Sequence, residues 1–331
     1  MALAVAALGL AGWLYADNAR RTRAFAQRAD ASGQRVEVAG HALFARLHGR
    51  AGPSVIVEAG LSSSIEWWGV AQALAGSARV LTYDRSGYGW SAPGGGPRSA
   101  ERIDRELSQL LRALRLAPPY ILVGESIGAL FVQHFARAHP ADVGGVILVD
   151  PITLEHARFE RELSRAVYQN LINLTPRLQA ARMLSQLGIL RPLAALPFRG
   201  PLPERAPLLR EFYASEASYQ AMLAEYRALP RSLEETAAAG PFPARALTVL
   251  HHCSDCFTRE LVSMQLAFDE AQALESLWLE LDRNTAELSP EGRLRSAGKS
   301  TRYLHVTEPE LIIAAVREQI AASSTQLGLL P

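Results

Sequence analysis

The sequence predicts an α/β protein, a mostly parallel sheet covered by helices on both faces. Three observations carry this. Short apolar runs at 54–57, 79–83, 120–123, 145–149 and 246–250 have the length and composition of buried strands. Segments with apolar residues at helical spacing separate most of them, and each parallel pair of strands needs such a crossover. Small and polar residues gather just past the carboxyl ends of the runs, where chemistry collects in sheets of this kind.

The elements follow in order. Residues 34–38 and 41–47 alternate apolar and polar around Ala39-Gly40, which reads as an antiparallel hairpin. The run 54–57 is a buried strand ending in Glu58-Ala59-Gly60-Leu61, and the segment with Trp67 and Trp68 through Ala75 is a helix. Residues 79–83 form the next strand, followed by Asp84-Arg85-Ser86-Gly87-Tyr88-Gly89-Trp90-Ser91. After a Gly/Pro loop, Ile103, Leu107, Leu110, Leu111 and Leu114 repeat at helical spacing. From about 152 to 240 the alternation stops and the pattern is helical, the mark of an inserted cap, in which the apolar, proline-broken stretch 184–203 reads equally as a wall over the site and as the cap's own core. The sheet resumes at 246–250, a helical stretch covers 259–281, a weak last strand lies near 293–297, and Pro309, a favoured first helical residue, opens a final helix to about 320. Four parts result: an N-terminal apolar segment and polar linker (1–33), a first core part (34–151), the cap (152–240) and a second core part (241–331).

Gly124-Glu125-Ser126-Ile127-Gly128 stands between the strand 120–123 and a helix-like run from Ala129 to Ala136. Strand, G-x-S-x-G, helix is the context of a nucleophile elbow. The turn holds the serine in a strained conformation that tolerates only small residues two positions before and after it. The hydroxyl then stands at a helix N-terminus, where developing negative charge is favoured.

Composition excludes some functions. A net charge of +1 over 331 residues gives no electrostatic reason to expect nucleic acid, and the basic residues, of which Lys299 is the one lysine, are scattered. Cys253 and Cys256 are compatible with loop thiols, a local disulfide, or metal and redox chemistry, but no second ligand pair for zinc accompanies them. No metal, nucleotide, flavin or other cofactor is expected. Residues 1–16 are almost wholly apolar and precede Arg20, Arg21, Arg23 and Arg28, so the expectation is a membrane-associated protein held by an N-terminal anchor, with an apolar helix packed on the domain as the alternative.

With these residues in view, the sequence resembles the α/β-hydrolase superfamily, in particular a bacterial branch of serine-hydrolase-like proteins. The carriers are 57–61, 83–91, the elbow at 119–128, 145–151, and Tyr303-Leu304-His305-Val306-Thr307-Glu308-Pro309-Glu310, together covering about 34–321. The resemblance implies an eight-stranded sheet and a triad in the order serine, acid, histidine. Ser126 would be the nucleophile, and the backbone N–H groups of Ile127 and Leu61 the oxyanion hole. The acid is Asp255, after the strand that usually precedes it, or Asp150, one strand earlier.

The base departs from the family pattern. In the ungapped match the usual catalytic histidine falls on Arg302, and His305 matches the pattern's second histidine. Arginine stays protonated at any usable pH and cannot accept the serine proton. Either His305 takes over, or the triad is broken, or His251 or His252 serves from the neighbouring strand end. Glu125, where the family often has histidine, and Arg302 are expected to form an ion pair in the former pocket, near Glu58 and Arg85.

The functional expectation is an esterase-like serine hydrolase. It would act on a carboxylic ester or other acyl bond of an apolar small molecule through an acyl-enzyme at Ser126. The alternative is a weak or silent hydrolase-fold protein acting in ligand binding or as a membrane-tethered interaction module.

Overall fold

The computed structural model describes residues 2–27, 33–193 and 203–326. Its centre is an eight-stranded sheet: β1 (Gln34–Val38), β2 (His41–His48), β3 (Ser54–Glu58), β4 (Arg79–Tyr83), β5 (Tyr120–Glu125), β6 (Val143–Val149), β7 (Ala246–His251) and β8 (Gly292–Ser296), in the spatial order 1-2-4-3-5-6-7-8. β1 and β2 pair antiparallel, β2 joins β4 antiparallel, and every later pairing is parallel. The hairpin, the parallel core and the weak last strand fall where the apolar pattern predicts them.

The pleat sorts the strand residues between two faces. Leu122, Val146 and Leu148 enter a core with Leu107 and Leu110 of helix Ala100–Ala113 and with Val132 and Phe135 of helix Ile127–Ala138. Their neighbours Ile121, Val123, Ile147 and Val149 enter the opposite core with Val70 and Leu74 of helix Trp68–Leu74 and with Ile312 and Val316 of helix Pro309–Gln326. Strands buried on both faces read as unbroken apolar runs, which is why they were legible as such.

Between β6 and β7 the described residues are helical, chiefly Thr175–Gln186, Ala206–Tyr213, Glu216–Arg227 and Leu229–Ala238. Much of the apolar stretch 184–203 lies outside the described residues. The three latter helices bring Phe212, Met222 and Leu229 down toward Leu61 and Ile127, just past the carboxyl ends of β3 and β5.

Two expectations fail at the N-terminus. Residues 17–27 are not a linker, because one helix runs from Ala2 to Gln27. The expected membrane-associated location through an N-terminal anchor is not supported either: no helix among the described residues is long and apolar enough to cross a membrane. The apolar part of the helix stops at Asp17, and about 16 residues at 1.5 Å each fall short of a hydrocarbon core of about 30 Å. The end of the helix instead packs on the protein. Asn18 Nδ2 donates to the Ser185 carbonyl over 2.9 Å, and Phe25 stacks on Trp90 with ring centroids 4.8 Å apart. Trp90 Nε1 donates to the Phe25 carbonyl over 3.0 Å.

Candidate active site

The elbow forms as its sequence requires. Ser126 has φ 52° and ψ −117°, in the left-handed half of backbone space that residues with a Cβ rarely adopt. The strain is held from both sides: Ser126 N–H donates to the Val149 carbonyl over 3.0 Å, and the Ser126 carbonyl accepts from Ile152 N–H over 2.9 Å. The flanking glycines are dictated by space. A Cβ on Gly124 would strike Val132 and Ala129, and one on Gly128 would strike the carbonyl oxygens of Glu58 and Ala59. The Ser126 side chain is half-buried, and its hydroxyl makes no hydrogen bond among the described residues.

The turn after β3 is clamped by charge. The Arg85 guanidinium is buried, meets Glu58 over 2.7 Å and Glu225 of the cap over 2.8 Å, and donates to the carbonyls of Ala59 and Gly60. Tyr83 also donates to Glu58. Burial raises the Glu58 carboxyl above its ordinary range, opposed by Arg85 and Tyr83. From the other side Glu125 accepts from Gly60 N–H over 2.9 Å and from the Ser62 hydroxyl over 3.3 Å. Each peptide group of the turn is thus oriented by a buried ion, and the Leu61 side chain packs with Ile127 in one apolar cluster.

At the end of β6, Asp150 has φ 45° and donates its N–H to the Leu250 carbonyl over 2.8 Å, which turns its carboxylate toward β7. Its Oδ1 lies 2.7 Å from His252 Nδ1, and its Oδ2 lies 3.8 Å from Arg302 Nε. Burial raises the Asp150 carboxyl, but His252 and Arg302 outweigh this and hold it below its usual range. Arg302 lies over the Trp278 ring, 5.1 Å from its centroid, and pairs with Asp150 rather than with Glu125. The expected Glu125–Arg302 pair is absent among the described residues, since each group has its own partners.

His305 is the group that approaches Glu125. It is buried and stacks on Trp67 with an interplanar angle of 3°. Its Nε2 lies 3.0 Å from Glu66 and its Nδ1 4.0 Å from Glu125. Burial opposes its charge, but Glu125 and Glu66 raise its pKa above the ordinary value. No histidine nitrogen is hydrogen-bonded to Ser126 among the described residues. Asp255 is exposed on the first turn of helix Ser254–Ser263 and touches no histidine there, so of the two candidate acids only Asp150 faces one.

At the end of β7, His251 and His252 belong to a buried network with Asp150, Glu275 and Asp282, of which sequence reasoning missed the last two. Glu275 and Asp282 lie seven residues apart on helix Phe268–Ala286, hence on one face of it. Glu275 contacts both rings, 2.8 Å from His251 Nε2 and 2.7 Å from His252 Nε2, while Asp282 lies 2.7 Å from His251 Nδ1. Burial opposes charge on His252, but Asp150 and Glu275 push its pKa up to about 10. Burial raises the Asp282 carboxyl to about 6. The signal available in the sequence was two adjacent histidines at a strand end followed by acids at helical spacing. Cys253 and Cys256 form a disulfide at the start of the next helix.

A family model described as the alpha/beta hydrolase fold matches residues 47–187. The chain is an α/β-hydrolase-fold protein. An uncharacterised Bacillus subtilis protein, YqjL, is 34% identical over 112 residues, which span 34% of this hydrolase-fold chain and 44% of that protein. The match thus covers less than half of that relative. An AB hydrolase superfamily protein of Gibberella zeae is 26% identical over 285 residues, 80% of this chain and 85% of that one. Two solved structures share the fold. The haloalkane dehalogenase DatA of Agrobacterium tumefaciens has a TM-score of 0.61 at 19% identity, over 88% of this chain and 96% of that one. The enol-lactonase of Burkholderia xenovorans has a TM-score of 0.60 at 16% identity, over 87% and 100%.

Proposed function

We propose that this hydrolase-fold protein is a serine hydrolase of acyl bonds, esterase-like, with slow turnover on an apolar small molecule. The observation that carries the reading is Ser126 itself. Its left-handed backbone costs about 1–3 kcal/mol, a strain that persists where the surroundings over-determine it, and its hydroxyl is unpartnered at a helix N-terminus. In this reading the Ser126 oxygen attacks a carbonyl carbon, and the N–H groups of Ile127 and Leu61 receive the oxyanion. The leaving group departs with a proton, and water then releases the acyl group. Leu61, Ile152, Leu154 and Tyr226 are partly buried against the cluster that holds Ile127, and apolar surface so close to the nucleophile suits an apolar acyl chain.

Turnover is slow because Arg302 holds the place beside Asp150 where a base would stand, and the serine proton must pass to water. A positioned general base contributes about 10²–10⁴ in rate, and that factor is missing. Neither His305, stacked on Trp67 and turned to Glu66, nor Asp255 is given a catalytic role. The same Arg302–Asp150 pair favours a second reading, carbonyl-ligand binding without turnover. Incubation with p-nitrophenyl butyrate followed by intact-mass measurement separates the two. The proposal expects a butyryl adduct on the peptide carrying Ser126, lost in Ser126→Ala; an unmodified wild-type chain favours the second.

A further inference from the structure

Beyond the elbow, the buried network at the ends of β6 and β7 has the composition and spacing of a metal centre. One ligand atom from each of Asp150, His251 and His252 lies within 4.8 Å of the other two, and all three residues are buried. Two imidazoles and a carboxylate on one side of an ion form the three-ligand set that first-row transition metals accept, with further positions left open.

The surroundings match as well. A metal-bound imidazole typically donates its other ring N–H to a carboxylate, which fixes its tautomer. Each ring here touches two carboxylates: His251 meets Glu275 and Asp282, and His252 meets Glu275 and Asp150. One nitrogen of each ring can therefore face an ion while the other keeps an outer carboxylate. Glu275 bridges both rings from helix Phe268–Ala286, holding them 4.1 Å apart centroid to centroid.

A second observation points to a missing positive partner. Asp282 is fully buried, one of its oxygens meets His251, and its Oδ1 has no hydrogen-bond partner. An unsatisfied carboxylate oxygen in the interior is costly, and a nearby cation relieves it. Three buried carboxylates surround the two rings, and a divalent ion among them would balance that negative charge.

We propose that Asp150, His251 and His252 bind one divalent first-row transition ion of the zinc type, with Glu275 and Asp282 as the outer carboxylates. The ion bonds one nitrogen of each imidazole and an Asp150 oxygen, and the displaced ring protons leave to solvent. The site shares Asp150 with the Arg302 pair, but the proposal does not rest on turnover at Ser126.

The test is titration of chelator-treated full-length protein with Co²⁺, read by visible absorption, equilibrium dialysis and proton release in weakly buffered solution. One equivalent per chain, bound with release of protons, is expected at neutral pH. His252→Gln and Asp150→Asn should each weaken binding at least tenfold, the scale expected for losing a ligand or its support. No Co²⁺ uptake by the wild-type chain, or unchanged affinity in both variants, overturns the proposal. Should the variants fail to fold, anomalous scattering from Zn²⁺-soaked wild-type crystals decides it: a peak between His251 and His252 sustains the site, and its absence there overturns it.

Discussion

Arg85 ties more of the candidate site together than any other side chain described. Its guanidinium is buried between Glu58 and Glu225 and holds two carbonyls of the turn on which Leu61 sits. Removing one member of a buried ion network leaves the others uncompensated, which costs about 3–5 kcal/mol. Arg85→Ala is therefore expected to lower unfolding free energy by that order in urea titration, and a change under 1 kcal/mol would show the network to be incidental. Gly128 tests the elbow without touching a charge. Gly128→Ala pushes a methyl into the Glu58 and Ala59 carbonyls, so it should destabilise by about 1–3 kcal/mol and abolish acylation of Ser126, seen by thermal unfolding and adduct mass. At this scale the sequence was readable where backbone geometry dictates residue type, as at Gly124, Ser126 and Gly128. It was not readable where side-chain direction decides. Asp150 and Asp255 both follow strands, and only the left-handed φ of Asp150 turns its carboxylate onto His252.

Strands and crossover helices were legible because their apolar periodicity differs and both faces of the sheet are covered. Two elements escaped. The Ala- and Arg-rich stretch 17–27 has no obvious apolar stripe and reads as linker, yet Ala, Arg and Gln are strong helix formers, and contacts of Asn18, Thr22 and Phe25 dock it. Phe25→Ala should cost about 3 kcal/mol, the lower end for loss of a buried aromatic, measured as a fall in the urea midpoint. A change near zero would mean that the Phe25 contact contributes nothing to the fold. The predicted helix over 259–281 is two, Ser254–Ser263 and Phe268–Ala286, split at Gln265, which takes φ 70°. Left-handed breaks usually carry glycine or asparagine, and here no such signal exists. The break matters because the second helix supplies Glu275 and Asp282.

For the molecule as a whole, acid stability has a traceable source away from the site. His48 is buried in β2 beside Thr82, and burial, helped by Arg46 and Arg205 and opposed by a hydrogen bond the ring donates to Gln72, lowers its pKa to about 4. The folded form therefore disfavours the charged ring. The contribution is present above the unfolded pKa of about 6.5 and is lost as pH falls through about 4, up to roughly 3 kcal/mol at 1.36 kcal/mol per unit. His48→Gln should flatten the decline of unfolding free energy between about pH 7 and pH 4, and identical slopes would remove His48 from the account. The proposed function turns on Ser126 at its strained elbow, and its central claim is that Arg302, beside Asp150, stands where the base would. Fluorophosphonate labelling rates of wild type, Ser126→Ala and Arg302→His measure this directly. The account predicts no labelling of Ser126→Ala, slow labelling of wild type, and labelling of Arg302→His faster by about 10²-fold or more, the smaller contribution of a general base. Fast labelling of wild type, unchanged by Arg302→His, would contradict it.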